Sequence, residues 1–117
     1  TTIGVINSDT SAKGELQQIG GIAHYEDANS GGQLTVQLED LPSAPYWVVD
    51  LGPVENNMYQ YSIVSDDKKL SLFVLARNVT EFYEKYDITV LNKLDTFGFN
   101  TYINKPIPTN QDNCSYP

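Results

Sequence analysis

The sequence predicts an antiparallel all-β barrel or sandwich carrying one C-terminal α-helix, and three observations support that expectation. Short alternating apolar runs, punctuated by turn residues, dominate positions 1–77. The hydrophobic period then changes: Tyr83, Tyr86, Val90, Leu94 and Phe97 recur at spacings of 3, 4, 4 and 3, the stripe of an amphipathic helix. The chain has 117 residues, 40% of them apolar and 19% charged, which suits a single domain with one core.

In order, residues 2–7 read as a strand, 8–14 as a turn, and 16–25 as a strand interrupted by Gly20-Gly21, with a Gly-rich loop over 27–32. Leu34, Val36 and Leu38 alternate with Thr35, Gln37 and Glu39, the pattern of a half-buried strand. The Leu41-Pro42-Ser43-Ala44-Pro45 connector is stiff and extended, and leads into residues 46–51, apolar on both faces. After a loop over 52–58, Tyr59, Tyr61 and Ile63 alternate with Gln60 and Ser62, residues 65–69 form a tight acidic turn, and 70–77 is the most hydrophobic strand. Six strands therefore fall within residues 2–77. A helix follows over 79–97, with Asn78 as N-cap, Glu81 three residues on and Gly98 at the C-terminal stop, and then a tail over 98–117. Residues 101–105 have the composition of one more short strand.

Fifteen acidic against seven basic side chains give a formal charge of −8, which excludes nucleic-acid backbones and anionic membrane surfaces as partners. No apolar run approaches the roughly 20 residues that cross a bilayer. Catalytic constellations are scarce, because His24 is the single histidine and Cys114 the single cysteine. His24 reads as an exposed or hydrogen-bonded structural residue, and no metal-ligand spacing is present. Cys114 lies in a polar tail, either free or paired outside the chain. The sequons Asn78-Val79-Thr80 and Asn113-Cys114-Ser115 point to a secreted protein glycosylated at Asn78, with Asn113 the poorer acceptor. Thr1 reads as a processed end.

Eight Tyr, four Phe and one Trp are more aromatics than the outside of a small barrel needs. Two readings stay open: the rings fill a core, or they line a cavity that holds an apolar ligand.

Residues 41–47, Leu-Pro-Ser-Ala-Pro-Tyr-Trp, run into the strand 48–51, and residues 70–78 read Leu-Ser-Leu-Phe-Val-Leu-Ala-Arg-Asn before the helix. Together with Val5-Ile6-Asn7, Gly21-Ile22-Ala23, Gln33-Leu34-Thr35-Val36-Gln37-Leu38 and the tail Thr109-Asn110-Gln111-Asp112-Asn113-Cys114, these blocks resemble the lipocalin family, and within it the apolipoprotein D-like and invertebrate bilin-binding or crustacyanin-type pigment proteins. The resemblance implies an eight-stranded up-and-down β-barrel, the calyx, with the helix packed outside. Two departures stand out. The loop Asp50-Leu51-Gly52-Pro53-Val54-Glu55-Asn56-Asn57 replaces the family's Thr-Asp-Tyr-like turn, and the opening Gly-x-Trp strand and the strand after it have no counterpart before Thr1. The chain then supplies strands C to H, and a second polypeptide is expected to supply A and B.

The resemblance also assigns roles. Arg77 is expected to pack over the Gly-x-Trp ring, and Cys114 to form an interchain disulfide with a cysteine at the start of strand B. Asn7 corresponds to a pocket-facing asparagine, and Phe73 and Leu75 point inward, while Leu70, Leu72 and Val74 face out beneath the helix. Alternation adds Leu34, Val36, Leu38, Tyr59, Tyr61 and Ile63 to the lining, and Tyr46 and Val48 join from a strand apolar on both faces. The expected function is carriage or storage of a hydrophobic small molecule without turnover, a pigment by preference, with a carotenoid first and a bilin second. Retinoid, steroid and fatty-acid carriage are the alternatives. An isomerase-type lipocalin enzyme needs a cysteine inside the barrel, where Cys114 does not lie, and a storage or scaffold protein with a filled core is the third reading.

Overall fold

The computed structural model describes residues 2–27, 29 and 31–116. Its main sheet contains β1 (Thr2–Thr10), β2 (Leu16–Tyr25), β3 (Gln33–Leu38), β4 (Ala44–Leu51), then β7 (Tyr61–Ser65) and β8 (Leu72–Ala76), all antiparallel neighbours in that order. Between β4 and β7, the short strands β5 (Val54–Glu55) and β6 (Met58–Tyr59) form a separate hairpin, with Asn56 and Asn57 at positive φ in its turn. The fold is thus the expected antiparallel sheet with a C-terminal helical segment, curled into a half-barrel. Among the described residues the sheet is open: β1 and β8 each leave one edge unpaired.

The expected single helix over 79–97 is divided. α1 (Val79–Lys85) ends and α2 (Asp87–Thr96) begins at Tyr86, whose φ of −120° interrupts the helical path. Asn78 caps α1 as expected, its side-chain oxygen accepting from the Glu81 N–H at 2.9 Å. Glu81 itself pairs with Lys85 one turn on instead of closing a capping box. Gly98, at φ +92°, stops α2 after Phe97. Residues 101–105 form turns, not a strand. The Thr101 carbonyl accepts from the Lys105 N–H, and the Asn104 side chain holds the Gly98 and Lys69 carbonyls.

The helices cover one face of the sheet at β7 and β8. Tyr61 and Ile63 on β7, with Leu72, Val74 and Ala76 on β8, pack against Phe82, Val90, Leu94 and Phe99. Register explains this grouping: Tyr61 pairs with Ala76, Ile63 with Val74 and Ser65 with Leu72, and cross-strand partners share a face. Gly52 lets the β4–β7 connection pass close to Tyr61, because a Cβ there would lie 2.3 Å from the ring.

Candidate functional site

Alternation and register together divide every strand between two faces. The face opposite the helices carries Phe73 and Leu75 on β8, Ser62 and Val64 on β7, and Val48 and Leu51 on β4. A register shift between Val48 and Asp50 inserts Val49 as a bulge, so Leu51 keeps the face of Val48 although three residues separate them. Further across, Tyr46 pairs with Leu34 and Ala44 with Val36, and these join Tyr25, Ala23 and Gly21 of β2. Ile3, Val5 and Asn7 of β1 complete the face, opposite Ala23, Gly21 and Ile19.

No helix lies over this face, yet Ala23, Leu34 and Val64 are only 2%, 5% and 2% exposed. The sheet therefore curls over them, which makes this the concave side. Near the open edge the same face is uncovered, with Phe73 58% and Leu75 47% exposed.

Eight of the eleven expected lining residues share this face: Asn7, Leu34, Val36, Leu38, Tyr46, Val48, Phe73 and Leu75. Tyr61 and Ile63 do not. They lie on the convex face beneath the helices, where the Tyr61 ring packs edge-on to Phe82 at 6.0 Å and tilted against Tyr86 at 5.5 Å. Tyr59 belongs to the β5–β6 hairpin, outside the main sheet. The β7 residues on the concave face are Ser62 and Val64. The same face also carries Ile3, Val5, Ala23, Tyr25 and Leu51, which the sequence reading did not assign to the lining; the alternation of Ile3, Val5 and Asn7 signalled the first two, whereas Leu51 depends on the bulge. Leu72 and Val74 face outward beneath the helices as expected, while Leu70 is exposed and outside that core.

Apart from Asp9 at the end of β1, the charged side chains of the main sheet stay off the concave wall. Asp50 points to the convex side, where the Lys93 ammonium donates to its carboxylate at 2.7 Å and to the Tyr61 hydroxyl at 3.2 Å. Hydrogen bonds to Asp50 and then to Tyr61 hold the Lys93 ammonium above its ordinary pKa. On the concave face, desolvation raises the Tyr46 hydroxyl above its usual value. At the β7–β8 turn, burial of Asp66 is outweighed by the Ser71 hydroxyl and the N–H groups of Lys68, Leu70 and Ser71, which keep its carboxyl below the ordinary range.

His24 is exposed on the convex face of β2, and no cluster of metal-binding side chains occurs among the described residues. Arg77 follows β8, its backbone N–H donating to the Gln60 carbonyl and its Nε to the Tyr59 carbonyl. It lines a groove of about 880 Å³ between the start of α1 and tail residues Thr109, Asn110, Gln111 and Asp112. Cys114 is an exposed free thiol. No helix is long and apolar enough to cross a membrane.

No curated protein and no solved structure matches the chain. The family model described as a lipocalin-like domain matches residues 1–105, which include every strand and both helices. With the curled antiparallel sheet, the outside helices and the apolar concave face, the chain belongs to the lipocalin-like domain family.

Proposed function

We propose that the protein carries or stores a hydrophobic small molecule on the concave face without turning it over, and that the molecule is a pigment, a carotenoid ahead of a bilin. Membership of the lipocalin-like family supports hydrophobic small-molecule binding in general. The single observation that carries the reading is the largely apolar concave face running from Ile3 to Leu75, over which no helix lies among the described residues. Removing such a surface from water is favourable at about 25 cal/mol per Å², so a ligand seated there is stabilised in proportion to the area it covers. Aromatic side chains at Tyr25, Tyr46 and Phe73 suit a flat conjugated skeleton. Among the described residues no nucleophile with an adjacent base lies on this wall, which favours binding over catalysis.

Organic extraction of the native protein, followed by an absorption spectrum, tests this reading. A visible-absorbing hydrophobic compound in the extract is expected. An empty extract, together with intrinsic fluorescence that does not respond to added retinoid or carotenoid, overturns it.

The proposal extends to how the half-barrel is closed. Unpaired edges on β1 and β8 flanking an apolar interior are an association hazard unless further strands pair with them. A second polypeptide of roughly 40 to 60 residues would supply two strands and their connections at typical element lengths. The exposed Cys114 thiol suits an interchain disulfide with it, and the groove at Arg77 suits an aromatic ring from it. Electrophoresis of native material with and without reductant tests the covalent link: a drop in mass on reduction is expected, and an unchanged band overturns it.

Secretion with an N-glycan on Asn78 is the remaining part. The residue is exposed, and its cap uses the side-chain oxygen, leaving the amide nitrogen for the sugar. An unmodified mass for the peptide covering residues 77–82 of native protein would remove this support.

A further inference from the structure

The placement of charge specifies the polar end of the ligand. The six strands of the main sheet carry no lysine or arginine. Lys13, Lys68 and Lys69 sit in turns, Arg77 is engaged by the Tyr59 carbonyl, and Lys105 is in the tail. Lys85 and Lys93 pair with Glu81 and Asp50 on the helical side. None of the seven is presented by the wall of the concave face.

Access to that face adds a second constraint. The turns 11–15, 39–43 and 66–71 lie at one end of the sheet, and the β5–β6 hairpin and the tail groove at Arg77 occupy the other. The end with the turns carries Asp9, Glu15, Glu39, Asp40, Asp66 and Asp67 against three lysines of its own, and the 101–105 turn, with Lys105, is held there by the Asn104 bond to the Lys69 carbonyl. One of those lysines, Lys69, has its ammonium 3.5 Å from the position a Gly98 Cβ would take, on the helical side. Asp9 closes the concave row Ile3, Val5, Asn7 at this end.

We infer that the concave face takes a hydrophobic molecule whose polar ends are uncharged hydroxyl or carbonyl groups, and rejects the same skeleton ending in a carboxylate. This rests on the carrier reading of the same face. A carboxylate drawn onto the wall loses its water without gaining a cation, and passes an acidic rim on the way in. A hydroxyl or carbonyl meets neutral partners instead: the Asn7 amide and the hydroxyls of Tyr25, Tyr46 and Ser62 share the face. The Tyr46 hydroxyl remains a neutral donor because burial disfavours its phenolate. Within the pigments, an oxygenated carotenoid with hydroxyl or keto ends fits, and a bilin with two propionates does not.

Matched pairs that differ only at the head group test this. Retinol and retinoic acid, then a long-chain fatty alcohol and the matching fatty acid, are titrated into ligand-stripped native protein at neutral pH by quenching of intrinsic fluorescence. The alcohol is expected to bind at least about tenfold more tightly in both pairs, which corresponds to about 1.4 kcal/mol. An acid that binds as tightly as its alcohol, in either pair, overturns the inference while leaving the carrier reading standing. Failure of all four to bind removes the carrier reading and the inference with it.

Discussion

At β7 and β8 the sheet is apolar on both faces, yet among the described residues the helices cover only one of them. On the convex side, Ile63 and Val74 meet Val90, Leu94 and Phe99, and Ile63 is completely buried. On the concave side, Phe73 and Leu75 alternate with those same β8 residues but remain about half exposed. Composition does not separate the faces there, since Tyr61, Ile63 and Val74 lie on one and Val64, Phe73 and Leu75 on the other, whereas across β2 and β3 the convex side turns polar with His24, Thr35 and Gln37. What separates them is the layer opposite: two helices on one side, and on the other only the curl of the sheet, which buries Ala23, Leu34 and Val64 but leaves Phe73 and Leu75 open. Apolar surface without a covering layer marks a place meant for something else.

That contrast is most easily broken at the convex core. Ile63→Ala is expected to cost about 2–5 kcal/mol, read as a lowered denaturant midpoint at unchanged slope, because the helices leave no room for the cavity to collapse. A loss of under about 1 kcal/mol would mean that the helices are not docked there. Gly52→Ala is expected to cost about 1–3 kcal/mol, since the added methyl meets the Tyr61 ring and Tyr61 is held by Phe82 and Tyr86. Thermal unfolding of that variant checks it.

Asn78→Ala removes the α1 cap and should lower stability by about 1 kcal/mol, with Asn78→Asp close to neutral because its carboxylate accepts the same hydrogen bond. Phe73→Ala sharpens the comparison from the other side. Its effect on the ligand-free midpoint should be well below that of Ile63→Ala, while the affinity for a hydrophobic ligand falls. Equal destabilisation by both variants would show that protein, not ligand, covers the concave face.

The smallest effect belongs to the acidic turn. The folded-state pKa of Asp66 is depressed, so its contribution is present above the unfolded carboxylate pKa and is lost as pH falls through the folded value. Amide exchange at Ser71 should accelerate over that acid window, and Asp66→Asn should remove most of the pH dependence. Protection of Ser71 that stays constant through the window would discard this assignment.

The division into strands and helix was legible because period 2 and period 3.6 are local properties of the backbone, each written wherever one face of an element is buried. Thus Leu34, Val36 and Leu38 were placed on one face correctly, and Asn78 and Gly98 marked the helical boundaries, because caps depend on a few neighbouring atoms. The break at Tyr86 was not legible, since the stripe of Tyr83, Tyr86 and Val90 continues across it. Nor was the face of β7. Ile63 is 0% and Val64 2% exposed, so a strand buried on both faces loses the polar contrast that would tell its sides apart. Alternation established that Tyr61 and Ile63 lie together. Only the docking of Phe82, Val90 and Leu94 decided that they lie under the helices, and the bulge at Val49 decided that Leu51 rather than Asp50 lies on the concave face. Both choices depend on contacts between residues far apart in the chain, which no local period encodes.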